Sequence, residues 1–259
     1  MIVSRDGWVK RQKEVKDVAA TRVREGDAVM AVLPGSTRAS VAFFSNFGVA
    51  YTSRIAEIPA STGYGEPIQR FFKLKDGEKF VGAMSLDERA IGNITAKKEG
   101  AEPPVHAVAA ACDGYALRFS LEPFVEPSTR AGRRFARVPE KVQVVGVEPY
   151  TGDEILIAAT RDARATLTRA EEVNFLSGAG RGVILIKLTS PDDRVLGFVA
   201  SVGDRDLLTV ETSRGAEQTI STAKYEVTGR GGKGRELLQR GQFTRVVYPI
   251  PEAPQGCGE

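Results

Sequence analysis

Val41-Ala-Phe-Phe-Ser-Asn-Phe-Gly-Val-Ala-Tyr-Thr52 holds two runs of β-favouring residues separated by Asn46-Phe47-Gly48. Val, Phe, Tyr and Thr suit a pleated surface packed on its neighbours. Asn and Gly accept the positive φ that a tight reversal demands. The stretch therefore reads as a β-hairpin. The same pattern returns at Ile2–Arg11 around Gly7, Val105–Phe119 around Gly114, Ile155–Leu167 around Ala163 and Leu207–Ile220 around Gly215. Copies fall about 40 to 65 residues apart, a spacing that suits propeller blades better than solenoid turns.

Each hairpin is followed by a further apolar half-unit. These are Ala28–Leu33, then Ile68–Leu74 with Phe80–Met84, Arg134–Val138 with Val142–Val147, Val183–Leu188 with Val195–Val199, and Phe243–Tyr248. The fold expected is all-β: five four-stranded antiparallel blades closed into a ring, which removes exposed sheet edges. Repeats start near residues 1, 38, 104, 153 and 205 of one domain spanning 1–259, and 251–259 reads as a flexible tail. Only Leu121–Glu126 and Ser221–Glu226 read as single helical turns.

Composition narrows the chemistry. The 259 residues carry a formal net charge of +3, so only local clustering of charge could direct binding. Two cysteines, Cys112 and Cys257, and one histidine, His106, cannot build a disulfide framework or a zinc site. No leader or apolar membrane run is visible, which points to a cytoplasmic setting without a membrane partner. His106 lies in an apolar run and reads as packed core. Phe43, Phe44, Phe71, Phe72, Phe119, Phe198 and Tyr248 sit at strand spacing and read as core too.

The loops carry the functional signal. Ser61–Ile68, Pro127–Arg134, Leu176–Gly182 and Thr228–Gly234 occupy the same place in their repeats, bear glycine, and in three cases bear arginine. In Thr228-Gly-Arg-Gly-Gly-Lys-Gly-Arg235 four glycines alternate with Arg230, Lys233 and Arg235. Glycine lets a large anion approach backbone N–H groups, and Arg and Lys supply charge for it. One such loop alone reads as a solvated surface segment; several at one blade position fall on one rim. The candidate phosphate contacts are Lys10, Arg11 and Lys13 on the first unit and Arg70 and Lys73 on the second. Arg130, Arg133, Arg134 and Arg137 lie on the third, Arg164 and Arg181 on the fourth, and Arg230, Lys233, Arg235 and Arg240 on the fifth. No catalytic set and no metal set converges.

The opening Gly7-Trp-Val-Lys10, the Gly63-Tyr-Gly-Glu-Pro67 loop, and the ending Val227–Arg235 with Leu237, Leu238, Arg240-Gly241 and Arg245-Val246 carry a resemblance. The chain resembles, over essentially its whole length, the C-terminal domain of bacterial type IIA topoisomerase A subunits, those of gyrase and topoisomerase IV. The resemblance implies a β-pinwheel, a propeller with strands exchanged between blades, that binds duplex DNA on a basic outer rim. It implies a nucleoid-associated heterotetramer with the cleavage domain of the same subunit and a separate ATPase subunit. ATP and Mg2+ would be used in other domains, with no cofactor and no catalytic tyrosine in this one. Gyrase A subunits carry Gln-Arg-Arg-Gly-Gly-Lys-Gly in the first blade; here the equivalent stretch, Gln12–Thr21, has no Gly-Gly. That departure favours topoisomerase IV-type bending over gyrase-type wrapping. A propeller used for protein docking, with incidental basic charge, is the remaining alternative.

Overall fold

The computed structural model describes residues 1–203 and 205–254. The first unit holds β1 (Ile2–Ser4), β2 (Trp8–Lys10) and β3 (Val29–Val32). The second holds β4 (Ser40–Ser45), β5 (Val49–Arg54), β6 (Glu66–Pro67) and β7 (Phe80–Ser85). The third holds β8 (His106–Ala111), β9 (Tyr115–Phe119), β10 (Arg133–Arg134) and β11 (Val144–Tyr150). The fourth holds β12 (Ile155–Thr160), β13 (Arg164–Arg169), β14 (Phe175–Leu176), β15 (Val183–Ile184) and β16 (Val195–Ser201). The fifth holds β17 (Leu208–Thr212), β18 (Glu217–Ile220), β19 (Arg235–Glu236) and β20 (Phe243–Val247). All five expected hairpins form, the fourth with Ala163 itself at a positive φ of 55°. One four-residue helix, Glu88–Ile91, was not anticipated; Asp87 caps it by accepting from Arg89 N.

The outer strand of a blade is borrowed. β6 pairs with β2, β10 with β5, β14 and β15 with β9, and β19 with β13, so the short strands flanking each Gly-bearing loop join the preceding unit's sheet. This is the exchange the resemblance implied. It relocates the segments that spacing assigned to their own units, such as Arg134–Val138. The fifth sheet, ordered β18-β17-β20, has three strands among the described residues and corrects the expectation of four in every blade. Its donor would come from unit one, where the connection between β2 and β3 spans only residues 11–28. The corresponding connections span 55–79, 120–143, 170–194 and 221–242. The short connection folds back instead: Val18 is buried with Ile2 and Val29.

Core forms between blades because successive strand residues face opposite ways. Phe43 packs toward blade one with Val3, Val9 and Phe80, while Phe44 packs toward blade three with Phe119 and Phe135. Both rings are fully buried, each contributing about 1.5–3 kcal/mol. Two further interfaces join blades three to four and four to five. Around the axis the inner strands approach closely where glycine stands. A Cβ on Gly82 would lie 2.6 Å from the Val147 carbonyl oxygen, and one on Gly197 would lie 2.7 Å from Val246 Cγ2. The corresponding position in blade five is Arg245, paired with Glu211 across 2.6 Å. The seam from blade five back to blade one is closed differently: Arg5 stacks on Tyr248, and Ala253 packs on the Ile2–Val18–Val29 cluster. Ala253 thus ties down part of the tail read as flexible; residues 255–259 lie outside the described residues. Phe71 is only partly buried, and Tyr248, read as core, is 47% exposed, because it serves this seam.

Candidate nucleic-acid interface

The four Gly-bearing loops are equivalent in space as well as in sequence. Gly65, Gly132, Gly182 and Gly234 all have positive φ, and each backs onto a carbonyl of the preceding blade: Val9, Ala50, Ala116 and Ala165. A Cβ on Gly234 would lie 2.6 Å from the Ala165 oxygen, and one on Gly132 would lie 2.7 Å from that of Ala50. The last glycine of each loop is therefore required by the exchange of strands. This corrects the reading in which all the glycines serve phosphate approach. Three residues on, Ile68, Phe135, Leu185 and Leu237 each donate a backbone hydrogen bond to the hairpin turn of the preceding blade, at Gly7, Gly48, Gly114 and Ala163.

The exchange carries cations across the blade boundaries. Lys73 N donates to Arg130 O, Arg137 N to Gly180 O beside Arg181, and Lys187 N to Gly232 O beside Lys233, each at 2.8 Å. Lys73, Arg130, Arg133, Arg134, Arg137, Lys187, Lys233 and Arg240 are exposed. None of these eight has a side-chain hydrogen bond or ion pair among the described residues. Arg130, Arg133, Arg134 and Arg137 come within one exchanged segment, the densest positive stretch. Lys187 escapes the sequence pattern because it sits in an apolar run. The signal was available: it follows Gly182 at the offset by which Arg137 follows Gly132.

Of the other predicted contacts, Lys10, Arg11 and Arg164 are drawn into the fold, while Lys13, Arg70, Arg181, Arg230 and Arg235 stay exposed, four of them with partners of their own. Lys10 is 2% exposed, and its ammonium donates to Arg22 O at 2.6 Å and Gly63 O at 2.7 Å. Burial, then the nearby Arg22, pushes its pKa below the usual lysine value. It locks the second-unit loop onto blade one and cannot reach a phosphate. Arg11 is half-buried with Nε donating to Ile58 O. Arg164 is half-buried, donating to Gly234 O and pairing with Glu236 at 2.8 Å; it pins β19. Arg230, a candidate phosphate contact, is exposed and donates to Glu172 O and Ile184 O, which anchors its loop. Arg70 pairs with Glu66, and Arg181 pairs with Asp113 while stacking on Tyr115. Arg235 is exposed with its guanidinium 5.7 Å from the Tyr225 ring, and Lys13 is exposed on the short unit-one connection.

The DNA gyrase C-terminal domain, beta-propeller, family model matches residues 39–87, 113–150 and 154–201, a little over half of the chain. The chain belongs to this family. The match falls on the second, third and fourth units, whose sheets are all completed by exchange. Over 99% of its length the chain is 29% identical to the DNA gyrase A protein of Aminobacterium colombiense, covering 31% of that protein. Over 96% it is 24% identical to the DNA gyrase A protein of Escherichia coli K12, covering 35%. The chain thus spans about a third of the length of the curated relatives it matches. In fold it is similar to the C-terminal domain of DNA topoisomerase IV, with a TM-score of 0.77 and 18% identity over 98% of this chain and 76% of that one. The Escherichia coli ParC C-terminal domain superposes with a TM-score of 0.70 and 19% identity, over 96% of this chain and 98% of that one. The DNA gyrase A C-terminal domain gives 0.62 at 18% identity, over 95% and 80%.

His106 is buried, with Nδ1 2.9 Å from Pro103 O and Nε2 3.1 Å from Arg118 Nη1. It packs as expected, and burial lowers its pKa. Among the described residues no group of three or more His, Cys, Asp or Glu could hold a metal ion. No described helix is long and apolar enough to cross a membrane.

Proposed function

We propose that this domain binds duplex DNA along its outer rim and bends it, presenting a segment to the strand-passage machinery of a type IIA topoisomerase. One observation carries the reading: exposed cations without internal partners recur at successive blade boundaries, from Lys73 and Arg130 through Arg137 to Lys187 and Lys233. Lys and Arg aimed at phosphates give sequence-neutral affinity that falls steeply with salt. The domain itself supplies geometry. Cleavage and ATP hydrolysis with Mg2+ belong to the cleavage domain of the same subunit and to a separate ATPase subunit, in a cytoplasmic, nucleoid-associated heterotetramer.

Topoisomerase IV-type bending is the first reading, supported by five blades, the short unit-one connection without Gly-Gly, and a fifth blade of three strands among the described residues. Gyrase-type wrapping is the second, supported by the gyrase A names of the relatives. Duplex binding by the isolated domain across a salt series tests both, with Arg130, Arg133, Arg134 and Lys233 changed to Ala in parallel. Each lost phosphate contact lowers the slope of log affinity against log salt by about 0.9. Salt-insensitive binding, or a variant indistinguishable from the parent, would favour the docking platform. A ligation assay separates bending from wrapping: a strong shift in linking number supports wrapping.

A further inference from the structure

The inner strands line an open cavity that the rim reading leaves unused. It has a volume of about 310 Å³ and reaches from Met30 and Met84 across Val147 and Phe198 to Val246 and Tyr248. A second cavity of about 300 Å³ shares Arg5, Met30, Val81, Glu148, Phe198 and Tyr248 with it, so these six residues stand between the two. Small-molecule sites are concave, mostly apolar and of this size, with a few placed polar groups that fix orientation. The walls here are inner-strand residues of all five blades.

Two charged side chains face this apolar space without meeting each other. Arg5 is taken up by Tyr248, its guanidinium 3.6 Å from the ring centroid. Glu148, on β11 between Val147 and Pro149, has no hydrogen-bond or ion-pair partner among the described residues. Its neighbour in charge is Asp206, a second carboxylate, which accepts from Val202 N at 2.7 Å. A part-buried carboxylate beside another acid gains most from a cation that brings its own positive charge. The walls reward an apolar body on that cation.

We infer that this axial cavity is a binding site for a small organic ammonium with a compact apolar body. Its ammonium group pairs with the Glu148 carboxylate, and its body packs on Val147, Phe198 and Val246. The site lies at the hub, away from the exposed rim cations, and stands whether or not the rim binds DNA.

The test uses 2-phenylethylamine as probe and 2-phenylethanol, its uncharged near-isostere, as control. Chemical shifts of the intact domain are followed by nuclear magnetic resonance. The amine is expected to bind with a Kd on the order of 1 mM, in line with fragment-sized ligands. It should shift the amides of Val147, Phe198 and Val246. Glu148→Gln should weaken the amine at least tenfold while leaving the alcohol unchanged. Ala83→Leu, which fills the cavity without touching the acid, should weaken both. Equal binding of the amine to the parent and to Glu148→Gln overturns the proposal. So does a shift pattern confined to the rim, or no binding of the amine at tens of millimolar.

Discussion

The guanidinium of Arg5 lies 3.6 Å from the centroid of the Tyr248 ring, joining the first blade to the last. Every other blade boundary is bridged by an exchanged strand; this one, among the described residues, is not. A cation stacked on an aromatic face contributes about 0.5–2 kcal/mol, according to how far it is desolvated. Tyr248→Ala should therefore lower stability by about 1–2 kcal/mol. Hydrogen exchange should speed up in β1, β3 and β20 before the β8–β9 hairpin is affected. Uniform acceleration across all five blades would show that the seam is not the weak point.

Two glycines of the same loop should behave oppositely. Gly234 has a φ of 67°, and a Cβ there would meet the Ala165 carbonyl, whereas a Cβ on Gly232 would find nothing nearer than 3.9 Å. Gly234→Ala should cost about 3 kcal/mol, combining left-handed backbone strain with overpacking. Gly232→Ala should change stability by less than about 0.5 kcal/mol. Denaturant midpoints of the two variants decide the matter, and equal values would remove the structural role given to Gly234.

Lys10 and Lys73 should separate stability from binding. Lys10→Met leaves the carbonyls of Arg22 and Gly63 without their donor, at a cost of about 2–3 kcal/mol. At a temperature where the variant stays folded, the salt dependence of its DNA binding should match that of the parent. Lys73→Ala should leave the melting temperature unchanged and lower the salt slope by about 0.9. A reversed pattern would return Lys10 to the DNA-binding set.

Burial, with Asp206 second, pushes the Glu148 carboxyl up from 4.5 to about 7. Arg5 and Tyr248 share its cavity. Because the folded state prefers the protonated acid, its contribution is fully present below pH 4.5 and is lost as pH rises through 7. Glu148→Gln, which cannot ionise, should stabilise the domain by about 2 kcal/mol at pH 8 and by almost nothing at pH 4. Melting curves at the two values check the sign; a larger gain at pH 4 would contradict it.

The hairpins were legible because they are local. Asn46-Phe47-Gly48 and its counterparts reverse the chain through the backbone freedom of a residue or two, and alternation in Phe43-Phe44 records burial on both faces. The equivalence of the loops ending at Gly65, Gly132, Gly182 and Gly234 was legible as well, since each meets the same steric demand. The residue list at the rim was only partly legible. Lys10, Arg164 and Arg230 have the same chemistry as Lys73, Arg137 and Lys233, and differ in which backbone carbonyls lie within reach.

By itself, then, the sequence determined the all-β class, the five units and the Gly-bearing loops, because short-range sterics and strand periodicity act within a few residues. Only the tertiary structure decided that each exchanged strand belongs to the preceding blade and that, among the described residues, blade five has three strands. It also decided that the ring closes through Arg5, Tyr248 and Ala253, and which cations remain free for phosphate. These outcomes depend on pairings between segments far apart in the chain. There the deciding quantity is whether a given carbonyl, carboxylate or ring comes within a few ångströms, and residue type does not encode that distance.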